Sequence, residues 1–245
     1  GKLIKDIGPS LKSIEEFVIE KFEKFYGWKT KDIESNLSIE LNNKAKNYFS
    51  SLSKGILEID LNAKIEEFEK ANIELKSIRI QKNGRNKESI SFPAFQFIDI
   101  YNGDWESSEM RELTEKKYLF IFFKEIQGEY ALSKAKFWNM PYVDRLEVQK
   151  VWLKTQEVIA SGVIFDDYAR DKSGKIRFSK KGNPIRNNHF PKIKENRVCH
   201  VRPHGADSTK TYPLPVTEKT LNTKEYSKQC FWYNKAYILD EVYLK

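Results

Sequence analysis

Glu74 and Lys76 lie two residues apart in the stretch 67–80, Glu-Phe-Glu-Lys-Ala-Asn-Ile-Glu-Leu-Lys-Ser-Ile-Arg-Ile. In an extended strand, side chains two apart share a face, so the carboxylate and the ammonium project together while Ile73 and Leu75 turn the other way, into a core. Glu67, seven residues upstream and behind a turn expected at 70–72, can swing back beside Glu74. Two carboxylates and a lysine at one point suit phosphodiester hydrolysis. Mg²⁺ is commonly held by one or two carboxylates plus waters and phosphate oxygens, and a nearby ammonium orients or deprotonates the attacking water. Glu67 and Glu74 are therefore the metal-ligand candidates and Lys76 the catalytic one. The spacing by itself favours a solvated strand end, because charged sequences generate the pattern easily: Glu115-Lys116-Lys117 repeats it before another apolar run.

A second group of candidates lies near the C-terminus, in Cys199-His200-Val201-Arg202-Pro203-His204-Gly205. Arg202 can meet guanine O6 and N7 bidentately, and a proline beside it limits the entropy lost on binding. His200 and His204 make a poor metal pair, since Pro203 opposes the helix that would align them and a structural zinc wants four ligands. Phe231, Trp232 and Tyr237 read as core residues before base-stacking ones.

The 43 Lys and Arg against 35 Asp and Glu give a net charge of +8 and a pI of about 9.2, which suits a polyanionic partner without requiring one. The distribution says more than the sum. Between Asp171 and Arg202 there are ten Lys or Arg and two acids, Asp171 and Glu195. Such a strip is either a solvated loop or a phosphate-contacting surface with salt-sensitive binding. Two cysteines, Cys199 and Cys230, form no disulfide framework or zinc spacing, which fits a reducing compartment. No run approaches the ~18 apolar residues of a membrane span, and the N-terminus lacks the apolar core of a signal peptide. The expectation is a cytoplasmic protein with no membrane partner. The first residue, Gly1, suggests a fragment or a processed product.

The elements that must position these groups are mixed α/β, and the length suits one domain over 1–245. After a lead-in at 2–9, Ser13 and Glu16 predict a capping box for a helix with Ile14, Phe17, Val18, Phe22 and Phe25 on its apolar face, ended by Gly27. A second helix is expected over 41–54, stopped by Gly55. The turn Lys82-Asn83-Gly84-Arg85 predicts a hairpin returning over 89–100, with Pro93 marking an edge or bulge. A short helix follows at 105–113. The apolar run 118–123 reads as a central strand covered on both faces, and 130–138 as its neighbour. Pro141 opens a long helix with Val143, Leu146, Val151, Trp152, Val158 and Ile159 along one side and Gly162 as its stop. The segment 165–196 reads as a long mobile loop or loose hairpin, a candidate clamp or lid over nucleic acid.

Glu-Leu-Lys-Ser-Ile at 74–78, followed by Gly84-Arg85 and by Trp105-Glu106-Ser107-Ser108, resembles the catalytic region of MutH, the GATC-nicking mismatch-repair endonuclease. Arg202-Pro203 is similar to that family's major-groove loop. Tyr226 with Lys228 falls where the family has a tyrosine that senses adenine methylation, followed by a lysine. Phe68-Glu69-Lys70-Ala71, Ser91-Phe92-Pro93, Phe137-Trp138-Asn139-Met140-Pro141, His200-Val201-Arg202-Pro203-His204 and Lys228-Gln229-Cys230-Phe231-Trp232 more closely resemble the C-terminal half of the Sau-type GATC restriction endonucleases.

The resemblance implies a restriction-endonuclease-like fold, a mixed central sheet flanked by helices, gripping GATC-containing double-stranded DNA in a cleft. It implies Arg202, Pro203, His204, Tyr226 and Lys228 as DNA-binding residues, Mg²⁺ as the cofactor of the whole enzyme, and an N-terminal catalytic half of the same polypeptide as partner. Two departures point to a degenerate active site. The family's first metal ligand is an aspartate where this chain has Glu67, and 47–57 lacks the acid that the family carries in the preceding helix. A substrate-binding, allosteric half is the first reading. A competent Mg²⁺-dependent endonuclease using Glu67, Glu74 and Lys76 is the second, and an RNA- or protein-binding module the third. Tyr226 fits either a methyl-sensing contact or a buried tyrosine bonded to backbone.

Overall fold

The computed structural model describes residues 3, 13–60, 64–203 and 208–245, so most of the expected lead-in at 2–9 lies outside the described residues. In chain order the helices are α1 Ile14–Glu23, α2 Thr30–Leu37, α3 Tyr48–Ile56, α4 Glu66–Lys70, α5 Phe97–Asn102, α6 Glu109–Thr114, α7 Tyr142–Ser161 and α8 Lys235–Ile238, with a π-helical turn at Leu239–Tyr243. The strands are β1 Ile73–Ile80, β2 Ile90–Ser91, β3 Lys117–Ile126, β4 Glu129–Asn139, β5 Phe165–Tyr168, β6 Arg186–Asn188, β7 Cys199–Pro203, β8 Thr211–Glu218, β9 Thr223–Ser227 and β10 Gln229–Tyr233. Contacts gather into two compact units: 1–88 with 115–140 and 238–245, and 89–114 with 141–237.

The first unit is built on a mixed sheet ordered β1-β3-β4, with β1 parallel and β4 antiparallel to β3. Residues 118–123 are all buried, as a central strand covered on both faces requires. Leu119, Ile121 and Phe123 share a core cluster with Val18 and Phe22 of α1 and Leu52 and Ile56 of α3. Tyr118, Phe120 and Phe122 stack along the other face, where Trp138 and Tyr243 close over them. Each such side chain contributes about 1.5–3 kcal/mol by leaving water, so this strand is the anchor of the unit. The capping box forms as expected: Glu16 N donates to Ser13 Oγ at 3.2 Å and Ser13 N to Glu16 Oε2 at 3.3 Å.

The helix expected over 41–54 is shorter and displaced. It begins at Tyr48 and runs through Gly55 to Ile56. Gly55 does not stop it; a Cβ there would meet Ile39 Cδ1 at 2.7 Å, so the glycine is a close-packing residue. The turn at 82–85 forms, with Gln81 N donating to Arg85 O at 2.8 Å and Gly84 at φ 78°. The long returning strand does not. Ile90–Ser91 pairs with β10, a single bridge joins Phe95 to Gln229 of the same strand, and 97–102 is helical. Pro93 removes a ladder donor, and Phe97 and Ile100 bury at helical spacing while Ile98 and Tyr101 face water.

In the second unit α7 runs from Pro141 to a left-handed Gly162 at φ 69°. Val148, Val151, Trp152, Val158 and Ile159 are buried, but Val143 and Leu146, assigned to that side by sequence, are 66% and 38% exposed. Asp144 takes the buried position instead, accepting from Tyr237 Oη at 2.7 Å and paired with Arg197. Beside it lies a sheet ordered β2-β10-β7. Of the two forms expected for 165–196, the hairpin is the one found. β5 pairs with β6, and Arg170↔Ile176 and Phe178↔Pro184 bridge the stretch between them, with turns at Gly174 and Gly182, both at positive φ. Its Lys172, Lys175, Arg177, Lys180, Lys181 and Arg186 are exposed, so an ordered ladder carries the basic charge outward.

Candidate functional sites

In the first unit, β1 does what its period of two predicts. Glu74 and Lys76 project from one face with Oε1 and Nζ 2.6 Å apart, while Ile73 and Leu75 pack against the core on the other. The partner that sequence reasoning missed is Lys116, whose Nζ stands 3.0 Å from Glu74 Oε2. It was visible only as part of a second Glu-x-Lys pattern. What brings it there is the parallel register that sets Ile73 opposite Lys117. Both oxygens of Glu74 are thus engaged by ammonium groups. Burial pushes the Glu74 carboxyl up, but hydrogen bonds and charge from Lys76 and Lys116 outweigh it and hold the group below its ordinary value. Tyr118, opposite Glu74 in register, has a buried hydroxyl with no hydrogen-bond partner among the described residues, and burial followed by the Glu74 charge pushes its pKa up.

Glu67 sits in the short helix α4, and Asn72 at φ 53° turns the chain from that helix into β1. Both of its carboxylate oxygens accept from Leu3 N, at 3.0 and 2.9 Å. Among the described residues, no three His, Cys, Asp or Glu side chains gather where they could hold a metal ion. Mg²⁺ demands near-ideal octahedral oxygen geometry. As arranged, a divalent cation at Glu74 or Glu67 would have to compete with the ammonium groups on the one and the backbone amide on the other. The face offers two ammonium groups for one carboxylate, which suits an anion better.

The second unit places the C-terminal candidates on β7, β9 and β10. Arg202 is exposed near the end of β7, its guanidinium carbon 4.0 Å from the centroid of the Trp232 ring. Burial lowers its pKa from the ordinary arginine value. Pro203 ends the strand opposite Gln229, and His204 lies outside the described residues. His200 is buried and bonds Asn234 Oδ1 through Nδ1 at 2.6 Å, a packed position rather than an open ligand one. Phe231 and Tyr237 are core residues; Trp232 is only partly buried.

Tyr226 is 3% exposed and faces Tyr212 across the β8–β9 hairpin. Burial raises its pKa, opposed by a hydrogen bond with the Asn188 side chain, so its partner is a side chain of β6. It lines a cleft of about 530 Å³ together with Arg186, Asn188, Pro203 and Gln229. Lys228 lies over the Tyr212 ring at 4.2 Å, and its backbone N–H donates to Lys210 O at 3.0 Å. The Trp105-Glu106-Ser107-Ser108 motif opens α6. Asp104 Oδ1 accepts from Ser107 N and Oγ at 2.9 and 3.0 Å, and Arg111 N donates to Ser108 Oγ at 3.1 Å. Trp105 meets Trp152 edge-on at 6.1 Å, which packs the start of the motif against α7.

A mixed sheet flanked by helices, with a Glu-x-Lys strand running parallel to the buried central strand, defines a restriction-endonuclease-like fold of the MutH type. The family model described as DNA mismatch repair enzyme MutH matches residues 57–151, which contain Glu67, Glu74, Lys76 and Lys116. The chain is also 32% identical over 263 aligned positions to the type II restriction enzyme Sau3AI of Staphylococcus aureus, covering 94% of this chain and 51% of that protein. It thus spans about half the length of that relative. The chain belongs to a MutH/Sau-like family.

Proposed function

We propose that this chain is a double-stranded DNA-binding domain of a type II restriction endonuclease that recognises GATC and carries a degenerate active site. It forms one MutH-like domain over 1–245 and acts as the substrate-binding, allosteric half beside an N-terminal catalytic half of the same cytoplasmic polypeptide. The observation that carries this reading is the double clamp on Glu74, since both of its oxygens are engaged by Lys76 and Lys116. Mg²⁺ would serve the whole enzyme and bind weakly or not at all in this domain. If it were held, Glu67 and Glu74 would be its ligands, with Lys76 beside the phosphate. Arg202, Pro203 and His204 read base edges, Tyr226 and Lys228 border that surface, and the basic ladder of 165–196 contacts phosphates.

The test is a titration against a GATC duplex and a scrambled duplex of equal length, in Ca²⁺ and then Mg²⁺, at two salt concentrations. Selective binding with DNA left intact in Mg²⁺ is the expected result. Cuts at GATC would favour a competent Mg²⁺-dependent endonuclease. That second reading draws on the shared face of Glu74 and Lys76, and under it Glu74→Ala abolishes cleavage while sparing binding. Preference for single strands would instead indicate an RNA-binding module.

A further inference from the structure

Arg202 does not stand alone on its strand. Register sets His200 of β7 directly opposite Trp232 of β10, and places Arg202 two residues further along the same face. The Trp232 ring lies under the Arg202 guanidinium at 4.0 Å, and its Nε1–H donates to the Arg202 carbonyl at 3.2 Å. His200 stacks on the same indole, with centroids 6.4 Å apart and planes 14° from parallel, and Asn234 holds the imidazole at 2.6 Å. Asn234 is itself anchored, its Nδ2 donating to Asn196 O at 2.7 Å. A series of flat groups therefore runs from a buried asparagine to an exposed guanidinium.

A guanidinium resting on an aromatic face uses its π surface and leaves its N–H fork available, which is the edge that meets guanine O6 and N7. An arginine side chain carries about 2 kcal/mol of rotamer entropy, so a group that fixes its plane before binding reduces the loss on contact. Resting on the reading of Arg202 as a base-reading residue, we infer that Trp232 is a positioning residue for sequence discrimination: its indole holds the Arg202 guanidinium in the orientation that recognises the base. Nothing in the indole needs to touch DNA.

The test compares the GATC-to-scrambled affinity ratio of the 245-residue chain with those of Trp232→Leu, Trp232→Phe, Arg202→Ala and the Arg202→Ala/Trp232→Leu double variant. Trp232→Leu should lower the ratio about fivefold, the worth of an exposed cation–π contact, with affinity for the scrambled duplex held within about twofold. Trp232→Phe keeps a flat ring and should restore most of the ratio. In the Arg202→Ala background, Trp232→Leu should cost nothing further, because a group acting only through the arginine has nothing left to position. An additive loss in the double variant, or an unchanged ratio in Trp232→Leu, overturns the inference.

A ratio of one for the unmodified chain would remove the base-reading assignment itself, and the inference with it. A selective parent with an indifferent Trp232→Leu would remove the inference only. Should Trp232→Leu not fold, the emission difference between the parent and Trp232→Phe decides. It should change on adding the GATC duplex more than on adding the scrambled one, and equal changes overturn the inference.

Discussion

Glu74 and Arg202 are treated in opposite ways by their surroundings. The carboxylate has both oxygens engaged by lysines of its own unit, so a metal ion would have to compete with them. The guanidinium rests on a ring that makes no demand on its hydrogen-bonding edge. One region neutralises its charged group internally and the other rests its exposed group on an aromatic face. The engagement of the side-chain atoms, which no sequence motif displays, is what distinguishes the two groups.

The sharpest way to break the contrast is Arg202→Ala. Loss of a bidentate arginine–guanine pair should cost about 1–3 kcal/mol of GATC discrimination, read as the competition ratio between cognate and scrambled duplex. Equal losses on both duplexes would make Arg202 a phosphate contact and end its distinction from the exposed lysines. Next in size is Glu74→Gln, which frees Lys76 and Lys116 from their counter-charge. Duplex binding should tighten by about 1 kcal/mol or less, with a salt slope steeper by at most about 0.9, the release expected for one more neutralised phosphate. Weaker binding only in Ca²⁺ or Mg²⁺ would return Glu74 to the role of metal ligand.

Lys175→Ala and Lys180→Ala, on the ladder between β5 and β6, should weaken both duplexes alike and flatten the salt slope by about 0.9 for each phosphate lost. A change in the affinity ratio would show that this ladder reads sequence. The smallest effect concerns pH. The folded Glu74 pKa lies below its ordinary value of 4.5, so the lysine clamp stabilises the fold above that value and is lost as pH falls through the depressed folded pKa. With the side chain about one-third exposed, the effect is modest. Denaturation midpoints measured from pH about 6 to about 3 should fall less steeply in Glu74→Gln than in the parent.

What the sequence could carry was local periodicity. The run 118–123, the capping box at Ser13 and the shared face of Glu74 and Lys76 each follow from a repeat of one, three or two residues, and each is found. Lys116 was not assigned to Glu74, because the pair is 42 residues apart and meets only through the parallel register. The oxygens of Glu67 hold the Leu3 amide, a contact 64 residues distant that no local spacing announces. The hairpin of β5 and β6 was one of two forms the sequence allowed, because its glycines and charges suit a loop equally well. Trp232 reads as core by sequence because nothing in the run of three aromatic residues on β10 shows that an arginine on β7 will rest on one of them.

The central strand β3 carries a consequence for how this unit is assembled. Its partner β4 follows across the turn at Gln127-Gly128 and can pair early, whereas β1 must arrive in parallel from more than thirty residues upstream. Non-local parallel pairing is slow to form. Until it does, the uncharged segment Tyr118-Leu119-Phe120-Ile121-Phe122-Phe123 presents an open strand edge of the kind that templates aggregation. The strand that bears Glu74 and Lys76 thus has a task older than any chemistry at its surface: it is the cap that keeps the stickiest segment of this unit from meeting its copy in another molecule.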